Sequence, residues 1–165
     1  MSAARLCRHL FMPAWMLRRK FTPVLLQEIE QAIVTFEGRH AGEIRFAVEH
    51  ALEISDLWQR LPARERALTV FGALRVWDTD ANNGILIYVL YAEHAVEIVA
   101  DRGIARRVPQ SDWDALCRDV ESQFRAGRFR EGSLAAIAGA SLLLARHFPN
   151  SPRNADELPN QPVLL

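Results

Sequence analysis

The sequence DTDANNG at residues 78–84 runs straight into ILIYVLY at residues 85–91, and this junction is the most informative part of the chain. Asp, Asn and Gly are favoured in tight turns, so the first part predicts a polar loop. The second part carries no charge and is rich in β-forming residues, which predicts a central strand buried on both faces. Ala92-Glu93-His94 predicts a tight reversal, and VEIVA at residues 96–100 predicts an antiparallel return strand that ends at Asp101.

Helices and one further strand surround this hairpin. Leu25, Ile29 and Ile33 recur at helical spacing and predict an amphipathic helix over about residues 23–38. EIRFAVE at residues 43–49 alternates with period two, which predicts a strand with one apolar and one wetter face. Further helices are predicted from Pro62 to near Trp77, from Ser111 onward, and over about residues 130–147.

This order of elements defines a fold class. A strand–helix–strand unit followed by an antiparallel hairpin gives a small mixed sheet, and helices on both faces would cover its apolar central strand. We therefore predict an α/β protein with a three-layer α/β/α sandwich and a small mixed sheet, which is a Rossmann-like arrangement.

The composition of the chain bears on its binding partners and on its cellular compartment. The chain has 165 residues, 50% of them apolar, and its 20 basic residues balance 20 acidic ones. That balance gives no global field for a polyanion, and no basic stripe with interleaved aromatic residues appears, so no nucleic-acid partner is expected. Cys7 and Cys117 are too few for a disulfide framework, and reduced thiols fit a cytoplasmic protein.

Charge and proline content divide the chain into three parts: a basic apolar arm at residues 1–22, an α/β domain at residues 23–148, and a Pro-rich tail at residues 149–165 that we expect to be disordered. The arm offers two interpretations. It could lie on a membrane surface through Phe11, Trp15 and Leu17, which would make the protein peripheral to the inner membrane, or it could fold back on the domain through the same residues.

The hairpin also predicts a site. The start of strand 84–91 and the end of strand 96–100 must lie at the same end of the sheet. The oxygen-bearing side chains flanking them are those of Asp78, Asp80, Asn82, Asn83 and Asp101. Carboxylate and amide oxygens are ligands for Ca²⁺ or Mg²⁺, so we expect a divalent-cation site there. The alternative is a structural turn in which Asp and Asn cap backbone N–H groups.

Three segments in this order resemble the TPM-domain family, which is known from thylakoid-lumen phosphatase-like proteins and from many bacterial proteins. They are Trp77 with Asn82-Asn83-Gly84 before an uncharged strand, VEIVADRGI at residues 96–104, and FRAGRF at residues 124–129 before a small-residue helix. Together they span roughly residues 40–148. The positions that transfer from the family motif are Asn83, Gly84 and Gly103.

The resemblance implies an α/β/α sandwich, divalent-cation binding by acidic loop residues and, for some members, weak acid phosphatase activity. It also implies a role beside membrane complexes, because short members without a leader resemble proteins encoded next to LemA-type membrane proteins. Family members usually carry an acid soon after the glycine that follows the hairpin, whereas here Gly103-Ile104 is followed by Ala105, Arg106 and Arg107. A site that uses that acid would be altered, and the export signal and membrane anchor of longer members are not expected.

Two functions follow from these patterns. In the first, the chain is a metal-dependent phosphomonoesterase of low specificity, in which Asp101 is a metal ligand or base and Arg102 balances charge. In the second, it is a non-catalytic adaptor that helps assemble or regulate a membrane protein complex, with a LemA-type protein or the membrane surface as its partner. The basic apolar arm, the lack of a strong nucleophile motif and the residue Ala105 favour the adaptor.

Overall fold

The computed structural model describes residues 3–149 and 157–165. In chain order its elements are α1 (Ala3–Leu10), α2 (Ala14–Lys20), α3 (Pro23–Glu37), β1 (Glu43–Glu49), α4 (Ile54–Trp58), α5 (Ala63–Ala73), β2 (Gly84–Leu90), a 3₁₀ turn (Tyr91–Glu93), β3 (Ala95–Ala100), α6 (Arg102–Ala105), α7 (Gln110–Arg125), α8 (Phe129–His147) and β4 (Val163–Leu164).

These strands form one mixed sheet. Its strand order is β3-β2-β1-β4; β1 pairs in parallel with both β2 and β4, and β2 pairs antiparallel with β3. The predicted hairpin reverses at His94, whose φ of 51° is left-handed. The strand predicted as central, β2, is buried along its whole length. The hairpin prediction and the mixed sheet are therefore confirmed.

The sheet lies between two apolar layers. Ile44, Phe46 and Val48 of β1 pack on one side, in a cluster with residues of α3, α7 and α8. Ala47 of β1 packs on the other side, in a cluster with α4 and α5 that includes Leu57. Alternate strand residues thus face opposite layers, as the pleat requires. The α/β sandwich is the architecture that the sequence predicts.

The expected wetter face of β1 is wrong, because all seven residues of the strand are buried. Its polar side chains are paired instead of solvated. Glu49 accepts three hydrogen bonds from the Nε and Nη2 atoms of Arg66 on α5 and one from the hydroxyl of Tyr88. Burial is the largest cause that raises the pKa of Tyr88, and its hydrogen bond to Glu49 acts in the same direction.

The C-terminal segment at residues 157–165 covers the rest of this face. It supplies β4, whose Val163 and Leu164 pair with Ala47 and Val48, and it buries Leu158 in the cluster of α4 and α5. The prediction of a disordered tail is therefore wrong for residues 157–165. Residues 150–156 of the predicted tail lie outside the described residues.

Candidate functional site

The hairpin brings the predicted loops to one end of the sheet. Ile85 pairs with Ala100, and the Asp101 N–H continues the ladder by donating to the carbonyl oxygen of Gly84 at 2.9 Å. On the other side of β2, which faces β1, the carbonyl oxygen of Asn83 accepts the N–H of Glu43 at 3.0 Å. Three strand ends therefore lie side by side, with Asn83 between β1 and β3.

The loop before β2 and the turn after β3 are in direct contact. The Gly103 N–H donates to the carbonyl oxygen of Asn82 at 3.0 Å, and Arg102 Nη2 donates to Asn82 Oδ1 at 3.2 Å. A Cβ atom at Gly103 would lie 2.5 Å from Asn82 O and 2.9 Å from Ala81 O. Such close backbone packing explains why glycine stands at this motif position.

Asp101 and Asn83 are the buried members of the predicted set, with 5% and 1% of their surface exposed. Asp101 Oδ1 accepts the N–H of Arg102 at 2.6 Å as the N-cap of α6. Asn83 Nδ2 donates to the carbonyl oxygen of Ala41. Asp101 Oδ2 and Asn83 Oδ1 have no hydrogen-bond partner among the described residues. Buried oxygens without partners carry a cost that a ligand can relieve.

Asp78 and Asp80 are placed differently, because both are exposed. An Asp78 oxygen lies 3.9 Å from a guanidinium nitrogen of Arg75. The backbone N–H of Asp80 donates to Glu157 Oε2 at 3.0 Å. Within residues 3–149 and 157–165, no group of three or more His, Cys, Asp or Glu side chains is placed to hold a metal ion. The structure thus places the predicted residues at one end of the sheet, but it does not bring their carboxylates together around one point.

A small cleft of about 240 Å³ opens beside the contact between the two loops. Ala81, Asn82, Arg102, Gly103 and Arg106 line it. The lining carries two guanidinium groups and no carboxylate, so its charge suits an anion better than a cation. Asp101 and the cleft therefore offer opposite charges at the same end of the sheet.

Sequence reasoning missed Glu157, which lies 77 residues from its partner Asp80. The prolines of the tail predict disorder. The available signal was the apolar residues that follow them, Leu158 and Val163 to Leu165. The contact between Glu157 and Asp80 could be predicted only after the position of the C-terminal segment on the sheet was known.

The N-terminal arm folds back on the domain. Its anchor is Glu93, which accepts a hydrogen bond from Arg5 Nε at 2.6 Å and lies 2.8 Å from His9 Nε2. His9 Nδ1 accepts the N–H of Leu52 at 3.0 Å, so Nε2 carries the ring hydrogen and donates the hydrogen bond to Glu93. Burial acts to raise the pKa of Glu93, but the hydrogen bonds from His9 and Arg5 outweigh it and leave that pKa lowered.

Docking leaves part of the arm's apolar surface uncovered. Phe11 is 75% exposed and Trp15 is 61% exposed, and Leu10 is also exposed. Leu17 is buried in the main core, so the prediction that it faces lipid is wrong. No helix among residues 3–149 and 157–165 combines the length and the apolar character that crossing a bilayer needs.

The fold and its motifs define a class of protein. A family model for the TPM domain matches residues 19–141, which is more than half of the chain. The chain therefore belongs to the TPM-domain family. It is also similar to the BA42 protein from the psychrophilic bacterium Bizionia argentinensis, whose structure was solved by NMR. The identity is 33%, over 87% of this chain and 94% of that one, with a TM-score of 0.75.

A more distant structure shares the fold alone. It is the N-terminal domain of a protein from P. gingivalis, which is 16% identical over 79% of this chain and 82% of that one, with a TM-score of 0.63. Among proteins with curated descriptions, none matches. These comparisons establish the family and its fold.

Proposed function

We propose that the chain binds a divalent cation, Ca²⁺ or Mg²⁺, at the sheet end through Asn83 and Asp101. The observation that carries this proposal is the pair of buried oxygens, Asn83 Oδ1 and Asp101 Oδ2, that lack partners among the described residues. A carboxylate and an amide oxygen are suitable ligands for a hard cation. The donor chemistry of these two side chains supports the proposal.

The other predicted ligands would have to leave their present contacts. Asp78 faces Arg75, and Asn82 Oδ1 accepts a hydrogen bond from Arg102. Both contacts lie near the surface, where ion pairs contribute little to stability, so moving these side chains costs little. We propose Asp78, Asp80 and Asn82 as outer contributors, and Asn83 and Asp101 as the fixed part of the site.

We further propose weak phosphomonoesterase activity of low specificity at this end of the sheet, with Asp101 and Arg102 as its main residues. A bound cation would supply Lewis-acid polarisation of a phosphoryl oxygen. Arg102 and Arg106 line the adjacent cleft and would hold a phosphate group there. This proposal depends on cation binding, and both depend on Asp101.

An NMR titration with Ca²⁺ and then Mg²⁺ tests the site. We expect saturable shifts of backbone amides within residues 78–84 and 101–106, and we expect Asp101→Asn to abolish them. Asp112→Asn is the matched control, because Asp112 is exposed on α7. Shifts that persist unchanged in Asp101→Asn would refute the site.

Turnover of an aryl phosphate tests the proposed enzyme activity. Turnover that vanishes in Asp101→Ala, with the fold intact, supports the enzyme. Turnover that is unaffected by that change and by a chelator contradicts it.

A second function rests on the arm. We propose that the protein also acts as a peripheral adaptor, which meets the membrane surface or a LemA-type membrane protein through Leu10, Phe11 and Trp15. These side chains are exposed although the arm is docked, and Arg18 and Arg19 follow them on α2. Aromatic residues beside basic ones are typical of segments that lie on anionic lipid.

Vesicle flotation tests the adaptor. We expect the protein to float with vesicles rich in phosphatidylglycerol, and the double variant Phe11→Ser/Trp15→Ser to stay behind. Trp58→Ser is the matched control, because the exposed fraction of Trp58, 70%, lies between those of Trp15 and Phe11, but Trp58 is on α4. Equal flotation of the two variants would remove the membrane surface as a partner of the arm. In that case only the protein partner would be left to test, by co-purification with a LemA-type protein.

A further inference from the structure

A second cavity lies at the other end of the hairpin from the candidate functional site. It has a volume of about 410 Å³ and opens beside the reversal between β2 and β3. Three parts of the chain line it: Arg8 and Met12 of the N-terminal arm, residues 92–94 of the reversal, and Arg125 at the end of α7. Because the arm supplies part of the wall, the cavity forms where the arm docks on the domain.

The two arginines of this wall are only partly paired. Among the described residues, Arg8 forms no ion pair. Arg125 Nη2 donates to Glu121 Oε2 at 2.6 Å. A guanidinium group carries five N–H donors, so this contact uses only part of what Arg125 offers. Both guanidinium groups therefore have donors left for a ligand in the cavity.

Glu93 supplies the carboxylate of the wall, and its charge is already compensated from the arm. Its Oε1 accepts a hydrogen bond from Arg5 Nε at 2.6 Å and lies 2.8 Å from His9 Nε2. Neither of these two partners lines the cavity. The carboxylate of Glu93 is therefore not the counter-charge of Arg8 and Arg125, and the wall has an excess of positive charge.

The His94 ring is held in place next to both guanidinium groups. The backbone of His94 is left-handed, and its ring packs edge-on against Tyr91 at 5.9 Å and against Phe129 at 5.5 Å between ring centroids. Burial is the largest cause that lowers the pKa of His94, and the charges of Arg8 and Arg125 act in the same direction. Two cations thus act on one fixed ring, and an anion between them would remove the repulsion.

The chemistry of this wall selects the kind of anion. Guanidinium groups bind phosphate oxygens through pairs of N–H donors, and a neutral imidazole adds one more. A phosphate monoester carries a charge of about −1.5 to −2 at pH 7, which two guanidinium groups can compensate. The cavity is large enough for a small organic group beside the phosphate, and Met12 and Ala92 give that group an apolar wall.

We propose that this cavity binds a phosphate monoester group through Arg8, Arg125 and His94. The group is carried either by a small soluble molecule or by a lipid headgroup, since the exposed Phe11 and Trp15 belong to the same arm. The site requires neither the cation nor the cleft at the opposite end of the hairpin. A bound phosphate joins Arg8 of the arm to the domain, so binding also stabilises the docked arm.

An NMR titration of the full chain with glycerol 3-phosphate tests the site. This probe is both a soluble phosphate monoester and the headgroup of phosphatidic acid. We expect saturable shifts of the His94 ring signals and of the amides of residues 92–94, and a rise in the pKa of His94 when the probe is bound. Shifts that do not saturate, shifts that sodium chloride reproduces at equal ionic strength, or an unchanged pKa of His94 would overturn the proposal.

Two variants test the assignment of the arginines. Arg8→Gln and Arg125→Gln should each weaken binding of the probe at least about tenfold, because each removes hydrogen bonds to a charged group. Arg118→Gln is the matched control, since Arg118 is exposed on the same helix α7 but does not line the cavity. Equal weakening in Arg118→Gln would mean that only general screening is measured, and the site would be wrong.

Vesicle flotation distinguishes the two sources of the phosphate, and this part alone rests on the proposed adaptor function. Phosphatidic acid carries a phosphate monoester, whereas phosphatidylglycerol carries a diester. If the ligand is a lipid, Arg125→Gln should reduce flotation with phosphatidic acid more than with phosphatidylglycerol at equal charge density. If the ligand is soluble, Arg125→Gln should affect the two kinds of vesicle equally while glycerol 3-phosphate still binds to the unmodified chain. Failure of the adaptor therefore leaves the titration intact, and failure of the titration removes the site.

Discussion

Replacing Gly103 with alanine is expected to push apart the two loops that form the candidate site. The new methyl carbon would lie 2.5 Å from the carbonyl oxygen of Asn82 and 2.9 Å from that of Ala81. Both are backbone atoms, which cannot rotate away as a flexible side chain could. The hydrogen bond from the Gly103 N–H to Asn82 would have to lengthen as the loops separate.

The size of the effect follows from two opposing terms. Overpacking by one methyl group costs about 1–3 kcal/mol, and rigid neighbours favour the upper part of that range. Alanine is better than glycine in a helix by about 1 kcal/mol, and Gly103 lies within the short α6. The net loss is then about 1–2 kcal/mol. For a chain of this length, that lowers the Tm by about 3–6 °C.

Thermal unfolding followed by circular dichroism measures this change, and an amide spectrum shows whether Asn82 and Arg102 shift with it. Gly72→Ala is the control, because a Cβ atom at Gly72 in α5 meets nothing within 4 Å. That variant should gain about 0.5–1 kcal/mol. If Gly103→Ala is stabilised to the same degree, the loops are not in close contact and the geometry of the site is wrong.

Three further predictions concern the buried charges and thiols. Arg66→Ala leaves the buried carboxylate of Glu49 without its ion pair and should cost about 3 kcal/mol in a urea unfolding curve; a loss below about 1 kcal/mol would contradict this. Because the pKa of Glu93 is lowered in the folded chain, its contribution to stability is complete above the ordinary pKa and is lost as the pH falls through the lowered one. Wild type should therefore lose more stability than Glu93→Gln on acidification below about pH 4.5, and parallel stability curves would refute the anchor. Burial raises the pKa of Cys117 to about 12, whereas Cys7 is exposed, so the native chain should react rapidly with a thiol reagent at Cys7 and slowly at Cys117. Mass spectrometry of the modified chain identifies the site, and rapid modification of Cys117 would contradict its burial.

The hairpin could be predicted because its signals are local. The signal is an uncharged run of β-forming residues over 85–91 with a polar loop on each side. It can be recognised from residues that are neighbours in the chain. The same is true of α3, where Thr22 accepts the N–H of Leu25 at the N-cap and Pro23 follows at the first helical position. Local chemistry fixes both elements before any tertiary contact forms.

The environment of β1 could not be predicted in this way. Its alternation of Glu43, Arg45 and Glu49 with apolar residues is the pattern of a half-exposed strand. What buries these charges lies far away in the chain: Arg66 on α5 for one, and residues 157–165 for the others. A pattern reports which side chains alternate, but it does not report which distant segment covers them.

The acidic residues show the same limit at the candidate site. Carboxylates that share one end of a sheet repel each other unless each finds a compensating group. Asp78 faces Arg75, Asp101 Oδ1 caps α6, and the carboxylate of Glu157 accepts the backbone N–H of Asp80. Of these three, Asp101 is the one that is buried and cannot move without uncapping a helix. Cation affinity at this end should therefore depend far more on Asp101 than on Asp78, whose exposed ion pair is easily exchanged for another partner. The hairpin determines which acidic residues lie at this end of the sheet. The groups that compensate their charges determine which of them can bind a ligand.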